Sequence, residues 1–234
     1  MKNTVVEKFS EFYQKWIFKL EEILHQLLQV SKTEEQEIQS LVSKVTTHLK
    51  EYYTVKWGAA HEDVVIFFTP TWLSPLENAH LWVTGWKPST VFRILDGLNA
   101  AFDMTEEQKK KIDELRVRVR IEEEKVEREM ERQQVAMADL KMVELAKLSC
   151  RARKGDARVD GLVGVALKAV FGGLEKVMKT SDCVRLKTLK GVLDVLTPIQ
   201  CVEFLAANIG IQLRLRKFGM KRDLAAGCIL NEEI

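Results

Sequence analysis

Histidine and cysteine have the widest chemical repertoire of the residues in this chain, and their spacing suits neither a metal site nor a catalytic one. His25, His48, His61 and His80 are scattered, with no HExxH run and no i, i+4 pair to bring two imidazoles to one helix face. Glu62 and Asp63 follow His61, but adjacent helical residues point about 100° apart, so the run does not converge. Cys150, Cys183, Cys201 and Cys228 form no CxxC and have apolar neighbours, which predicts reduced, semi-buried thiols of an intracellular protein. No GxSxG elbow, phosphate-binding loop or dinucleotide fingerprint occurs. Phe171–Gly173 is too short to cradle a phosphate and suits close helix packing instead. The expectation is a protein that is not an enzyme and has no metal.

Tryptophan is the unusual feature. All five indoles fall before residue 87, and Trp57, Trp72, Trp82 and Trp86 lie within one short stretch. An indole offers large apolar area but wants a partner for its N–H, so such clusters suit either a packing knot where helix ends meet or a binding surface. Trp57, Trp72, Trp82 and Trp86, with the cations Lys87 and Arg93 beside them, are the candidate partner- or ligand-binding residues.

The elements that carry these residues read as helices throughout. Twelve Gly and four Pro are too few to punctuate a β-rich chain of this size. Phe9, Phe12, Tyr13, Trp16, Ile17 and Leu20 open a three-and-four spacing that predicts an amphipathic helix from Val5 to Val30. Thr33 and Gln36 would box a second helix running through Phe67 to Pro70. Ser74, Pro75 and Glu77 signal a short helix to Val83, broken by Thr84 and Gly85, and Pro88 opens another. Thr105 and Gln108 box the longest helix, expected to reach Cys150. A glycine-punctuated loop, CRARKGDARVDG, precedes three further helices at 162–178, 183–196 and 198–218, the last starting at Thr197–Pro198. The fold class is therefore all-α: a multi-helix bundle with one long charged helix.

Net charge is only +2, but it is unevenly spread. Between Lys141 and Lys190 there are 12 basic and 5 acidic residues, which a solvated helix surface explains without a nucleic-acid partner. A basic leucine zipper needs a dense basic helix running into an uninterrupted zipper, and the seam after Thr105 is interrupted by Glu122 and Gln133. Twelve of the 17 residues from Arg116 to Arg132 are charged, so that helix should protrude, form a hairpin arm or face a partner. The N-terminus lacks the apolar core of a signal peptide, and no run approaches the ~18 apolar residues of a membrane span. Nucleus, cytoplasm or both is the expected location, with no membrane contact.

YYTVKWGAAHEDV and FFTPTWLSPLENAHLWVTGWKPSTVFRIL closely resemble the signature of the plant seed-dormancy family named for delay of germination. The same domain forms the C-terminal part of TGA-type basic-leucine-zipper transcription factors. FSEFYQKWIFKLEEILHQLL and the charged run TEEQKKKIDELRVRVRIEEEKVEREMERQQVAMAD extend the resemblance over residues 5–148, within one all-helical domain of 1–234 whose C-terminal part is basic. The resemblance implies a short dormancy-like regulator without catalysis, acting through protein partners. Those partners would be type-2C protein phosphatases of abscisic-acid signalling or basic-leucine-zipper regulators, with homo-oligomers and transcriptional control also implied. Haem, which some dormancy-branch proteins bind through late histidines, is not carried over because no histidine follows His80. The alternatives are a sensor of a small apolar or haem-like ligand held near Trp57, Trp72 and Trp86, and direct sequence-specific DNA binding as in the TGA factors.

Overall fold

The computed structural model describes residues 4–30, 35–98, 103–152 and 156–232. Helix α1 (Val5–Gln29) begins at a capping box in which Thr4 and Glu7 satisfy each other's backbone amides. It buries Phe9, Tyr13, Trp16, Leu20, Ile23 and Leu27, one face over about five turns. Helix α2 (Glu35–Glu62) follows, while the Thr33 box expected ahead of it lies outside the described residues. It stops at Glu62 rather than running on to Phe67. The Asp63 carboxylate accepts the Val65 N–H at 3.0 Å and turns the chain into a single 3-10 turn, Val65–Phe67.

Ser74 and Glu77 form the expected capping box, with Pro75 at the first helical position, but α3 (Pro75–Ala79) is shorter than its signal implied. Helix α4 (Thr90–Leu98) starts two residues past Pro88. Helix α5 (Glu106–Ala136) has the Thr105–Gln108 box and ends fourteen residues before Cys150, where a short turn leads into α6 (Leu140–Arg151). Asp156 caps α7 (Ala157–Leu193), so the expected loop shrinks to a few residues, of which 153–155 lie outside the described set. The two helices expected at 162–178 and 183–196 are one. Helix α8 (Pro198–Glu232) starts from a reciprocal Thr197–Gln200 pair. The Gln108 amide also donates to Gln200 Oε1 and the Val195 carbonyl, both at 2.9 Å, tying the starts of α5 and α8 together.

The chain is all-α, with no strand among the described residues beyond an isolated Trp82–Gly85 bridge. Helix α8 packs against α1, α2, α3 and α4, and α7 joins α2 to α5. Phe9, Leu20, Ile23, Val45, Phe92, Leu95, Val192, Phe204 and Leu205 meet in one apolar core spanning α1, α2, α4, α7 and α8. Ile112, Leu115, Val119 and Val126 give α5 a buried seam along α7. Val117 and Ile121 stay exposed, so the alternating RVRVRI run is helical. Beyond Met130 the seam is no longer covered. Helix α6 has no buried residue, and α7 has none between Val159 and Val177. Cys150 is exposed on this arm rather than semi-buried, Cys183 is half-buried and Cys201 buried; the Cys228 side chain lies outside the described set.

Candidate functional site

The tryptophan segment folds around a two-residue hairpin. The Trp82 amide donates to the Gly85 carbonyl at 2.7 Å, and Gly85 returns the bond at 3.3 Å. The two central residues, Val83 and Thr84, sit at φ 40° and 61°. Such turns normally take Asn-Gly, because a β-branched side chain at positive φ is strained, by about 1–3 kcal/mol per residue. Other contacts must hold the turn in that state.

Three buried charged residues do so. Lys56 on α2 and Asp182 and Arg185 on α7 are each at most 1% exposed. Arg185 spends all five N–H donors here. Nε reaches the Trp86 carbonyl at 2.7 Å, Nη1 reaches Ser181 Oγ at 2.9 Å and Asp182 at 2.6 Å, and Nη2 reaches the Val83 carbonyl at 2.8 Å and the Trp82 carbonyl. Lys56 Nζ donates to the Thr84 carbonyl at 3.1 Å, Thr84 Oγ1 at 3.0 Å and Asp182 Oδ1 at 2.9 Å. The other Asp182 oxygen accepts the Trp57 indole N–H at 3.0 Å. The turn's carbonyls are thus satisfied by two cations on separate helices, and one carboxylate links those cations. Burial lowers the Lys56 pKa from 10.5 to about 8, since the Asp182 charge offsets only part of the cost of removing an ammonium from water.

Two outer ties complete the arrangement. Glu127 on α5 accepts both the Trp82 indole N–H and Lys87 Nζ at 2.8 Å, and Lys87 holds the Glu127 carboxyl below the usual carboxylate range. Nearby, the buried Glu123 accepts the Ser89 amide at 2.6 Å. On the other side Arg216 of α8 donates to the Trp72 carbonyl at 3.1 Å, faces the Glu77 carboxylate at 3.4 Å and covers the Tyr13 ring.

The candidate residues from sequence therefore divide. Trp72 is buried in the aromatic core, 4.7 Å from the Phe9 ring centroid. Trp57 and Trp82 are half-buried with their indole N–H groups committed to Asp182 and Glu127. Trp86 is half-buried beside Arg185. Lys87 is committed to Glu127, and Arg93 is exposed on α4. Lys56, Asp182 and Arg185 were missed. The missed signal was the helical period: Met178, Asp182, Arg185, Leu189 and Val192 share the buried face of α7, and charges on a core face call for buried partners. Among the described residues, no group of three or more His, Cys, Asp or Glu could hold a metal ion. Among the described residues, no helix is long and apolar enough to cross a membrane.

The family model described as DOG1, seed dormancy control, matches residues 19–96. The chain belongs to that family: it is 54% identical over 226 residues to Protein DOG1-like 4 of Arabidopsis thaliana, covering 95% of this chain and 96% of that protein. It is also similar to Protein RESPONSE TO ABA AND SALT 1 of Arabidopsis thaliana, at 29% identity over 92% of this chain and 96% of that protein. The TGACG-sequence-specific DNA-binding protein TGA-2.1 of Nicotiana tabacum is 27% identical over 89% of this chain but only 45% of its own length.

Proposed function

We propose that this chain is a non-enzymatic plant regulator that acts by binding other proteins, in abscisic-acid-linked control of dormancy or stress response and, through its partners, of transcription. Membership of the seed-dormancy family supports a regulatory role, and the relative named for response to ABA and salt supports the hormone link. Type-2C protein phosphatases and basic-leucine-zipper regulators are the partner classes, met in the nucleus or the cytoplasm.

The observation that carries the reading is the uncovered arm formed by the end of α5, α6 and the first half of α7. Val135, Leu140, Leu148, Leu162, Val165 and Phe171 are between 40% and 70% exposed there. Exposed apolar side chains gathered on successive helix segments suit an interaction site. Exposed Arg93 offers a further outward contact on α4.

The test is affinity capture of candidate phosphatases and zipper factors on purified protein. The triple variant Leu140→Glu, Val165→Glu and Phe171→Glu should melt with the parent, because none of these side chains is buried, yet lose its partners. Equal capture by parent and variant would overturn the role given to the arm.

A further inference from the structure

Beneath the hairpin, α1, α2, α7 and α8 leave a cavity of about 150 Å³ walled by Tyr13, Trp16, Tyr52, Tyr53 and Trp86, with exposed His80 at its rim. An apolar void of about this volume accommodates one six-membered ring. Its charge is unbalanced. Lys56 and Arg185 line it and share the single carboxylate of Asp182. Glu77, the other acidic residue of the wall, is matched by Arg216. The wall thus has one surplus positive charge, and a buried net charge is costly unless an opposite one is brought to it.

The hydrogen-bonding capacity points the same way. All three Lys56 donors and all five Arg185 donors are spent on the hairpin and its supports. Tyr52 and Gln212, both partly buried, also line the cavity, and among the described residues no hydrogen bond to another protein group engages the Tyr52 hydroxyl or the Gln212 amide. Two neutral donors therefore stand free beside a surplus cation, within aromatic walls sized for one ring.

We propose that this cavity binds a small organic monoanion, a single ring bearing one carboxylate, with the carboxylate taking the Tyr52 O–H and a Gln212 N–H and offsetting the surplus charge. The ring stacks among Trp16, Tyr52 and Trp86. The ligand would brace the hairpin through the groups that hold it, giving the regulator a small-molecule input separate from the uncovered arm.

The test uses the purified full chain and three probes of one shape: benzoate, neutral benzamide and cationic benzylamine. Titration followed by calorimetry and tryptophan fluorescence should give saturable one-to-one binding of benzoate. Benzamide should bind at least about tenfold more weakly and benzylamine not at all. Tyr52→Phe keeps the ring and removes the hydroxyl; it should weaken benzoate about tenfold or more without lowering the melting temperature, and Gln212→Leu should act likewise. No saturable benzoate binding up to about 10 mM would overturn the proposal. So would equal affinity for benzamide, or benzoate binding indifferent to both substitutions.

Discussion

Replacing Asp182 by Asn tests the buried cluster most directly, because shape is nearly kept and only charge and one acceptor change. Asp182 is fully buried and accepts from Lys56, Arg185 and Trp57. Its loss leaves two buried cations with no anion between them, and breaking a buried pair in this way costs about 3–5 kcal/mol. For a chain of this length that corresponds to a melting temperature lower by roughly 6–20 °C. Urea unfolding followed by tryptophan fluorescence would measure the loss directly as a shifted midpoint at unchanged slope. A second variant separates charge from packing. Lys56→Met removes one of the stranded cations, so the double variant Lys56→Met, Asp182→Asn should lose less than the sum of the singles by at least about 1 kcal/mol. If Asp182→Asn lies within about 1 kcal/mol of the parent, or the two changes simply add, the cluster does not hold the turn as argued.

Two further outcomes follow from the same chemistry. The Lys56 ammonium has a folded pKa of about 8 against 10.5 free, so below pH 8 its burial penalty is complete; above it the folded state releases a proton that the unfolded chain retains, and stability rises with pH. Cys201, whose thiol burial pushes up from 9.0 to about 11, acts in the opposite sense from pH 9 upward, which confines the clean rise to pH 8–9. Unfolding at the two ends of that window should differ by up to about 1.4 kcal/mol, and the difference should vanish in Lys56→Met. A Cβ on Gly85 would lie 2.8 Å from the Arg185 guanidinium carbon, which five hydrogen bonds prevent from moving aside, so Gly85→Ala should cost about 1–3 kcal/mol. Gly58→Ala, in open space on α2, should instead gain about 0.5–1 kcal/mol, and a neutral Gly85→Ala by calorimetry would contradict the close approach.

Features decided within one helical turn were legible from sequence. The Ser74–Glu77 and Thr105–Gln108 boxes and the amphipathic face of α1 are set by residues three and four apart, and each stands where its pattern put it. Features decided by distant partners were not. Thr180, Ser181 and Asp182 look like a helix end, because small polar side chains compete for backbone groups. In the fold, Ser181 and Asp182 instead meet Arg185, Lys56 and the Val83 carbonyl, and α7 runs on unbroken. The break between α5 and α6 left no Gly or Pro to announce it. At the candidate site, Trp57, Trp82 and Trp86 were visible by type. Their function as struts could not be seen without Asp182 and Arg185, more than 90 residues further along the chain.

That separation bears on how the protein matures as it is made. The hairpin at Trp82–Gly85 holds two β-branched residues at positive φ, and the guanidinium that satisfies its carbonyls comes 99 residues after Trp86. At roughly 5–20 residues per second, the nascent hairpin waits about 5–20 s for Arg185 to be synthesised. Through that interval Lys56 and the Trp57 indole have no Asp182 to meet, whereas Glu127, which accepts the Trp82 indole N–H, is made earlier. The family's most recognisable segment is therefore among the last to reach its final form, and a stalled or prematurely ended chain would display it as an aromatic, cationic and unclosed loop to the chaperones near the ribosome.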